Sequence, residues 1–544
     1  MSIDNCIAAS HTGLKPLYRE GSGRIVQFTD VHLALKYKGT PENNYLDKVE
    51  PDVKYGLDPG VELLEAALEC AKKVIPEPNF FLYNGDSVIH EGKHENEKKE
   101  KLHFPRTYKY HNKVIGAVMS RLRRTYPNLD KSRFFALAVG NMETIPDYAM
   151  DVTDGQEINP TLSEIKQGFE NVLLEGEEQD FVRRGYSRRQ IEDGLWMITL
   201  NTAVYHPRRS GDSKNGNLED PLGQFAWLRK TLRSIEQERE NSLICGHVPP
   251  VLALADGVQQ WEKEYIETYK KIITDFAGTI KAQLFGHTHD HEIRDYKVPL
   301  YISGPISPLH KVNPSFTVWE YDKKTFEILD SHVYGTLDLK NWGYRFSAVK
   351  SYGLTDLRKG SLVKLRNYFV DEGNFNQEQF NHFHLQRYVY RGYNLDNKDN
   401  LVAPANVKKC DHVACLAAIR CAFKKWYSDI VELQECHIKE RAHFASMGFR
   451  IEEDMRIFKE TAKEVARREK KLTRKYTSTA RILNPSNETG LKEEPTYNPL
   501  STCATVFMMV IVLAVIVLVL DKVFGIKSRW TRLVKGMQTE NRRQ

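Results

Sequence analysis

Five short groups carry the side chains best suited to chemistry: Asp30-Val31-His32, Gly85-Asp86, Gly140-Asn141-Met142-Glu143, Gly246-His247 and Gly286-His287-Thr288-His289. Asp30, Asp86, Asn141, His32, His247, His287 and His289 make a mixed oxygen and imidazole donor set of the kind that suits Zn, Mn or Fe. Any one of these histidines alone would be read as a packed or surface residue; the whole set in order outweighs that reading. Each group follows an apolar run (residues 24–29, 80–84, 134–139, 242–245 and 284–285) that reads as a buried strand. Glycine stands before the donor in four of the five groups, as a sharp turn off a strand requires. Apolar runs of this kind, separated by long segments, predict a mostly parallel sheet whose strand ends gather along one edge, where α/β folds place their sites.

The segments between the runs supply the supports. Residues 60–74 have helical periodicity through Val61, Leu64, Leu68 and Ala71, and residues 113–126 through Val114, Ala117, Val118 and Leu122. Further helical patterns cover 163–174, 222–235 and 261–276, and 195–200 reads as another strand. Beyond Pro299 the pattern changes to short β runs at 300–303, 316–321 and 326–332, which suggest a sheet completing a two-layered sandwich. Residues 37–59 and 91–103 read as loops, and the second of these leaves a donor-bearing strand end with its basic residues in reach of a substrate.

Composition bounds the answer. A chain of 544 residues exceeds one typical domain, and 41% hydrophobic with 28% charged residues is a globular balance. A net charge of +6 is small for this length, so no nucleic-acid partner is expected. Cys410, Cys415, Cys421 and Cys436 cluster without a paired C-x-x-C, a poor zinc arrangement that leaves two local disulfides or four reduced thiols. Residues 1–23 are polar and lack an apolar core, so no ordinary secretory signal is expected.

The motifs D-x-H, G-D, G-N-x-[DE], G-H and G-H-x-H, in this order, resemble those of calcineurin-like metallophosphoesterases over residues 24–334, with weaker features as far as Cys436. The resemblance implies an α/β fold: a β-sandwich flanked by helices in four αββα layers, here followed by a helical C-terminal subdomain. It implies two divalent ions (Zn, Mn, Mg or Co), one held by Asp30, His32, Asp86 and His289, the other by Asp86, Asn141, His247 and His287, with Asp86 the shared bridge. Such a pair activates water for in-line attack on a phosphate. Many family members place a proton-donating histidine after Gly-Asn, where this chain has Met142, a thioether that cannot donate. His90, at G-D-x-x-x-H spacing as in the acid-sphingomyelinase and endopolyphosphatase branches, is the expected catalytic acid. A phosphate-binding membrane protein with impaired catalysis is the non-enzymatic alternative.

Two branches compete for the substrate. Leu200-Asn201-Thr202, Asp220-Pro221, Gln224-Phe225, Trp227-Leu228 and the cysteine cluster resemble acid-sphingomyelinase-like phosphodiesterases, acting on sphingomyelin or nucleotides. That branch implies disulfides in the cluster, hence an oxidising compartment. His103-Phe104-Pro105-Arg106-Thr107, Gly246-His247-Val248-Pro249-Pro250 and Asn313-Pro314-Ser315-Phe316 resemble vacuolar endopolyphosphatases, which also tend to lack the histidine after Gly-Asn. With Lys98, Lys99, Lys101, Arg106 and Lys109 near a donor-bearing strand end, the sequence favours an endopolyphosphatase-like activity, with His103 and Arg106 as substrate contacts.

The end of the chain addresses a membrane. Residues 503–520, opening at Cys503 and closing at Leu520, contain no charge, and at ~1.5 Å per residue they nearly cross a ~30 Å hydrocarbon core as one transmembrane helix. The basic residues that follow place the tail in the cytoplasm and the catalytic domain in a vacuole- or lysosome-like lumen or at the cell surface. The expected organisation is a polar segment 1–23, a catalytic domain 24–336, a cysteine-bearing subdomain 337–440, a charged helix (441–476) and linker to residue 500, a membrane span 501–521 and a basic tail 522–544.

Overall fold

Short apolar strands with both faces covered alternate which core each side chain enters. In the computed structural model Ile25, Phe80 and Leu82 share an inner core with Leu243, Leu284 and Tyr301, while Val26, Phe28, Phe81 and Tyr83 point the other way, toward helices. The structure describes residues 18–35, 53–90, 106–213, 216–254, 258–310, 312–389, 410–424 and 430–451, with the short pieces 6–7, 16, 94–95, 101–102 and 104.

The strands are β1 (Cys6–Ile7), β2 (Gly23–Phe28), β3 (Phe80–Tyr83), β4 (His94–Glu95), β5 (Lys101–Leu102), β6 (Phe134–Phe135), β7 (Ser187–Glu192), β8 (Leu195–Thr199), β9 (Asn241–Cys245), β10 (Ile280–Phe285), β11 (Glu292–Arg294), β12 (Leu300–Ile302), β13 (Ser315–Tyr321), β14 (Ile328–Thr336) and β15 (Trp342–Ser347). Two mixed sheets result, ordered β1-β15-β14-β13-β2-β3-β6 and β11-β12-β10-β9-β8-β7, with β4 and β5 forming a separate hairpin. Two sheets are present, as the expected sandwich requires, and the donor-bearing strands expected along one edge of a mostly parallel sheet are divided between them: β2, β3 and β6 run parallel in one sheet and β8, β9, β10 and β12 in the other, each extended by antiparallel neighbours. Both parallel sets deliver their C-terminal ends to the same place.

Helices α1 (Val61–Val74) and α2 (Tyr108–Thr125) put Leu64, Leu68, Val114, Val118 and Leu122 into the core beneath β2 and β3. Further along come α3 (Pro160–Phe169), α4 (Glu177–Arg184), α5 (Gln224–Gln237) and α6 (Lys263–Asp275); α5 and α6 contribute Leu228, Leu232, Ile272 and Ile273 to the same core. The helical unit comprises α7 (Ala348–Tyr352), α8 (Lys359–Val370), α9 (Gln377–Arg387), α10 (Val413–Lys424) and α11 (Ile430–Ser446).

Three expectations change in detail. The run at 134–139 forms a ladder only over Phe134–Phe135. The sheet continues past residue 336, because β15 pairs with β14 from Thr336↔Trp342 to His332↔Ser347. The helix expected from residue 441 begins at Ile430 and stops at Ser446, where Gly448, at φ 86°, takes the left-handed conformation that ends helices; residues 452–476 lie outside the described residues. Disulfides join Cys410 to Cys415 and Cys421 to Cys436, Cys70 is also disulfide-bonded, and Cys245 is buried and free. Among the described residues no helix is long and apolar enough to cross a membrane; the expected span 501–521 and basic tail lie outside them.

Candidate metal centre

Five of the seven predicted donors sit where a side chain is least welcome. Asp30, His32, Asp86, His287 and His289 have φ of 51°, 47°, 59°, 73° and 55°. Such left-handed backbone costs a non-glycine residue ~1–3 kcal/mol, and it persists only where the surroundings enforce it. The glycines beside the donors have two different reasons. Gly85 has φ 91°, as a sharp turn demands, whereas a Cβ on Gly140 would lie 2.1 Å from Asp86 Oδ1 and one on Gly286 2.0 Å from Thr29 Oγ1. The latter two serve close approach.

Hydrogen bonds to the outer ring nitrogens fix the tautomers. His32 Nδ1 donates to the Val88 carbonyl (2.9 Å), His247 Nδ1 to the Asn84 carbonyl (2.7 Å), and His287 Nε2 to Gln260 Oε1 (2.8 Å). Each leaves a lone pair turned inward. His32 Nε2 then lies 3.1 Å from His289 Nε2, 3.8 Å from Asp30 Oδ1 and 3.5 Å from Asp86 Oδ2. His247 Nε2 lies 3.1 Å from Asp86 Oδ2, 3.1 Å from Asn141 Oδ1 and 3.1 Å from His287 Nδ1. The seven donors thus meet as two overlapping sets, with Asp86 Oδ2 common to both.

This arrangement fits divalent ions. Asp30 Oδ1 is buried and has no hydrogen-bond partner among the described residues, an orphaned acceptor turned toward His289 Nε2 at 3.4 Å. Although burial opposes it, the neighbouring histidines hold the Asp30 carboxyl well below the usual carboxylate range. Burial likewise works against charge on His247, yet Asp86 beside it pushes the imidazole up to about 9. His287 is driven down to about 3 by burial and then by the charge on His247. Buried carboxylates that draw protons onto adjacent imidazoles would hold a divalent cation in their place.

Two carboxylates support the donors: Glu143, the acidic residue of the G-N-x-[DE] motif, and Asp147, which carried no signal of its own. Glu143 accepts N–H groups from Gly140 (2.8 Å), Asp86 (3.1 Å) and Ser87 (2.6 Å), tying two donor loops together; burial, and then Asp86, raise its carboxyl to about 7. Asp147 accepts from Asn141 Nδ2 at 2.7 Å and so turns the amide oxygen inward. Met142 packs its thioether into the core and gives Asp86 Oδ1 only a backbone N–H, at 2.9 Å.

His90 stands beside the donors. Its ring stacks on His32 at 3.7 Å, and one ring nitrogen lies within 4.8 Å of nitrogens of His32 and His289. Asp58, in what the sequence presents only as a loop, holds it: His90 Nδ1 is 3.1 Å from each carboxylate oxygen, and the His90 backbone N–H donates to Oδ2 at 2.8 Å. Ser307 Oγ donates to the same aspartate at 2.7 Å. Across the cluster, Tyr148 Oη is 3.3 Å from His287 Nε2, His206 stacks on Tyr148 at 3.9 Å, and the exposed Arg208 lies over the same ring at 6.0 Å. Arg106, expected as a substrate contact, precedes α2 and is half-buried, with its charge felt at Tyr110 and His111. His103 lies outside the described residues. A third group, Glu320, Asp330 and His332, is an ion-pair network in which Arg19 Nη1 donates to Glu320 Oε2 at 2.9 Å.

A family model described as calcineurin-like phosphoesterase matches residues 23–291. A sphingomyelinase phosphodiesterase D of Dictyostelium discoideum is 26% identical over 55% of this chain and 67% of its own length. A cyclic GMP-AMP phosphodiesterase of Bos taurus is 26% identical over 65% of this chain and 82% of its own, and a sphingomyelin phosphodiesterase 1 of Caenorhabditis elegans is 26% identical over 64% of each.

Proposed function

Residues 23–291 form a calcineurin-like phosphoesterase domain, and from that premise we propose that the protein is a two-metal hydrolase of phosphodiesters. The observation that carries this reading is Asp86 Oδ2, placed between two donor sets at 3.5 Å from His32 Nε2 and 3.1 Å from His247 Nε2. Asp30, His32, Asp86 and His289 would hold one ion, and Asp86, Asn141, His247 and His287 the other. When bound, the two ions supply charge for the phosphate oxygens and a water nucleophile near neutral pH.

The remaining chemistry belongs to side chains. Asp58 keeps the Nδ1–H of His90 occupied, so Nε2 is the nitrogen that gives a proton to the departing alkoxide. Met142 leaves that duty to His90. Glu143 and Asp147 hold Asp86 and Asn141 in place, as partners behind a metal ligand do.

Support for a diester comes from the relatives, whose names are those of phosphodiesterases acting on sphingomyelin or cyclic GMP-AMP. The sequence's preference for polyphosphate rested on endopolyphosphatase-like motifs, on the missing histidine after Gly-Asn and on basic residues around 98–109, of which Lys98 and Lys99, with His103, lie outside the described residues. Polyphosphate is kept as the second reading because exposed Arg208, near Tyr148 and His287, would suit an additional negative charge. Turnover of bis-p-nitrophenyl phosphate, sphingomyelin, cyclic GMP-AMP and long-chain polyphosphate by the metal-loaded protein tests the choice. Diester cleavage without shortening of polyphosphate is expected, and the reverse pattern overturns it.

Membrane anchoring belongs to the same proposal, with residues 503–520 as the span, the basic tail cytoplasmic and the catalytic domain lumenal or extracellular. Two disulfides in the helical unit support an oxidising compartment. Resistance of the full chain to alkaline extraction, with the catalytic domain shielded from protease in sealed vesicles, is the expected result. Release into the soluble fraction would exclude the anchor.

A further inference from the structure

The loop bearing His287 and His289 is gripped from two sides. From within the catalytic domain, the His287 N–H donates to Asp30 Oδ2 at 2.9 Å. From outside it comes Arg387, the last residue of α9, 97 positions further along the chain than Asp290. Its Nη2 donates to Asp290 Oδ2, its Nε lies 3.4 Å from Glu292 Oε1, and its carbonyl accepts the His291 N–H at 3.0 Å. Arg387, Asp290 and Glu292 are all buried. The next residues continue the grip: the Tyr388 carbonyl accepts from Asn313 Nδ2 at 3.0 Å, and Val389 packs beside Gly304 and Gly335, 3.4 and 3.1 Å from where their Cβ atoms would stand.

Two consecutive-but-one residues in left-handed backbone need such external enforcement. His287 and His289 have φ of 73° and 55°, and neither conformation is one a histidine holds unaided. Asp290 directly follows His289, so its contact with Arg387 fixes where the strained stretch ends. A guanidinium suits this task because it stays charged and its planar fork can hydrogen-bond one carboxylate, Asp290, while lying within ion-pair distance of a second, Glu292, whose other oxygen Arg294 holds.

We propose that Arg387 is a positioning residue of the metal centre: the helical unit, through Arg387 on Asp290 and Glu292, sets the placement of His287 and His289 and thereby the affinity for metal. This rests on the reading of those two histidines as ligands. It makes α9 part of the metal-binding machinery although it lies beyond the residues that carry the metal motifs.

The test separates placement from charge balance. Removing one member of a buried ion pair destabilises by leaving the other uncompensated, whereas removing both restores the balance. The full chain is stripped of metal and titrated with Zn2+ alone against a competing chelator, as wild type, Arg387→Met, Asp290→Asn and the double variant, with melting temperature read in parallel. The double variant is expected to melt near wild type while binding Zn2+ about 10- to 100-fold more weakly, the loss typical of removing a partner behind a metal ligand. Recovery of both melting and affinity in the double variant overturns the proposal, as does wild-type affinity in the singles. If the double variant does not fold, Arg387→Lys decides: it keeps the charge without the fork, and unchanged affinity at unchanged melting overturns the proposal, while a several-fold loss supports it. Because Zn2+ binding is read without substrate, an inactive protein that still binds Zn2+ would refute the hydrolase reading and leave this one standing.

Discussion

Asp86 and His90 divide the work at the residue scale, the first joining two donor sets and the second standing beside them with Asp58 behind it. His90→Ala is expected to lower turnover by about 100-fold or more, within the range of a lost general acid, while metal content stays unchanged. Asp58→Asn should give a smaller loss of the same kind, and metal analysis beside steady-state rates checks both; loss of metal in either would make His90 a ligand instead. The imidazoles give a second prediction. His32, pushed up to about 9 because Asp30 and then Asp86 outweigh its burial, and His247, pushed up to about 9 because Asp86 outweighs its burial, carry protons at pH 7 in the metal-free protein. Metal must displace those protons, so apparent affinity rises as pH rises toward about 9 and uptake at pH 7 releases protons. Titration in buffers of different ionisation enthalpy reads that release, and none at all would contradict the ligand set. All seven donors were legible in the sequence, because a few residue types at strand ends in fixed order are a strong pattern. Asp58 and Arg387 were not: each meets its partner only through the fold, across 32 and 97 positions.

At the scale of elements, strands were read where apolar runs were unbroken and misjudged where packing decided. The ladder at Phe134–Phe135 is shorter than its run because only Phe81 and Leu82 of β3 pair with it. β15 was missed since its alternation, Trp342, Tyr344 and Phe346, lies beyond an apparent boundary and becomes a strand only beside β14. Helix α2 was recognised by its apolar face, yet that face also buries His111, whose Nδ1 donates to the Glu143 carbonyl at 3.2 Å. Burial holds this imidazole down at about 4, below the ordinary 6.5. His111 is thus neutral when folded, and its contribution to stability, full above pH 6.5, is lost as pH falls from 6.5 toward 4. Replacing His111 by Gln should flatten the dependence of melting temperature on pH across that window, and an unchanged slope would remove His111 as its source. In the helical unit, the Cys421–Cys436 disulfide ties α10 to α11 across 15 positions. Replacing both cysteines by serine is expected to cost ~2–4 kcal/mol, measured by denaturant unfolding.

The whole molecule is more continuous than its sequence suggests. A boundary near residue 337 divides motifs from non-motifs, but the inner core crosses it: Leu362, Phe369, Phe383 and Phe423 of the helical unit belong to the same cluster as Leu243 and Leu284. Tyr301 Oη also donates across that boundary, to the Leu357 carbonyl at 2.7 Å. A truncation at residue 336 is therefore expected to yield insoluble protein, whereas a chain ending near residue 451 keeps the described core, and soluble expression of each checks this. The central claim is that Asp86 joins two ions that hydrolyse a phosphodiester. Its most direct test is the rate of bis-p-nitrophenyl phosphate hydrolysis by the Zn-loaded wild type and by Asp86→Asn. Because changes behind a metal ligand already cost ~10–100-fold, removing the shared ligand itself should cost more than ~100-fold. Turnover by Asp86→Asn close to that of the wild type would contradict the two-ion account.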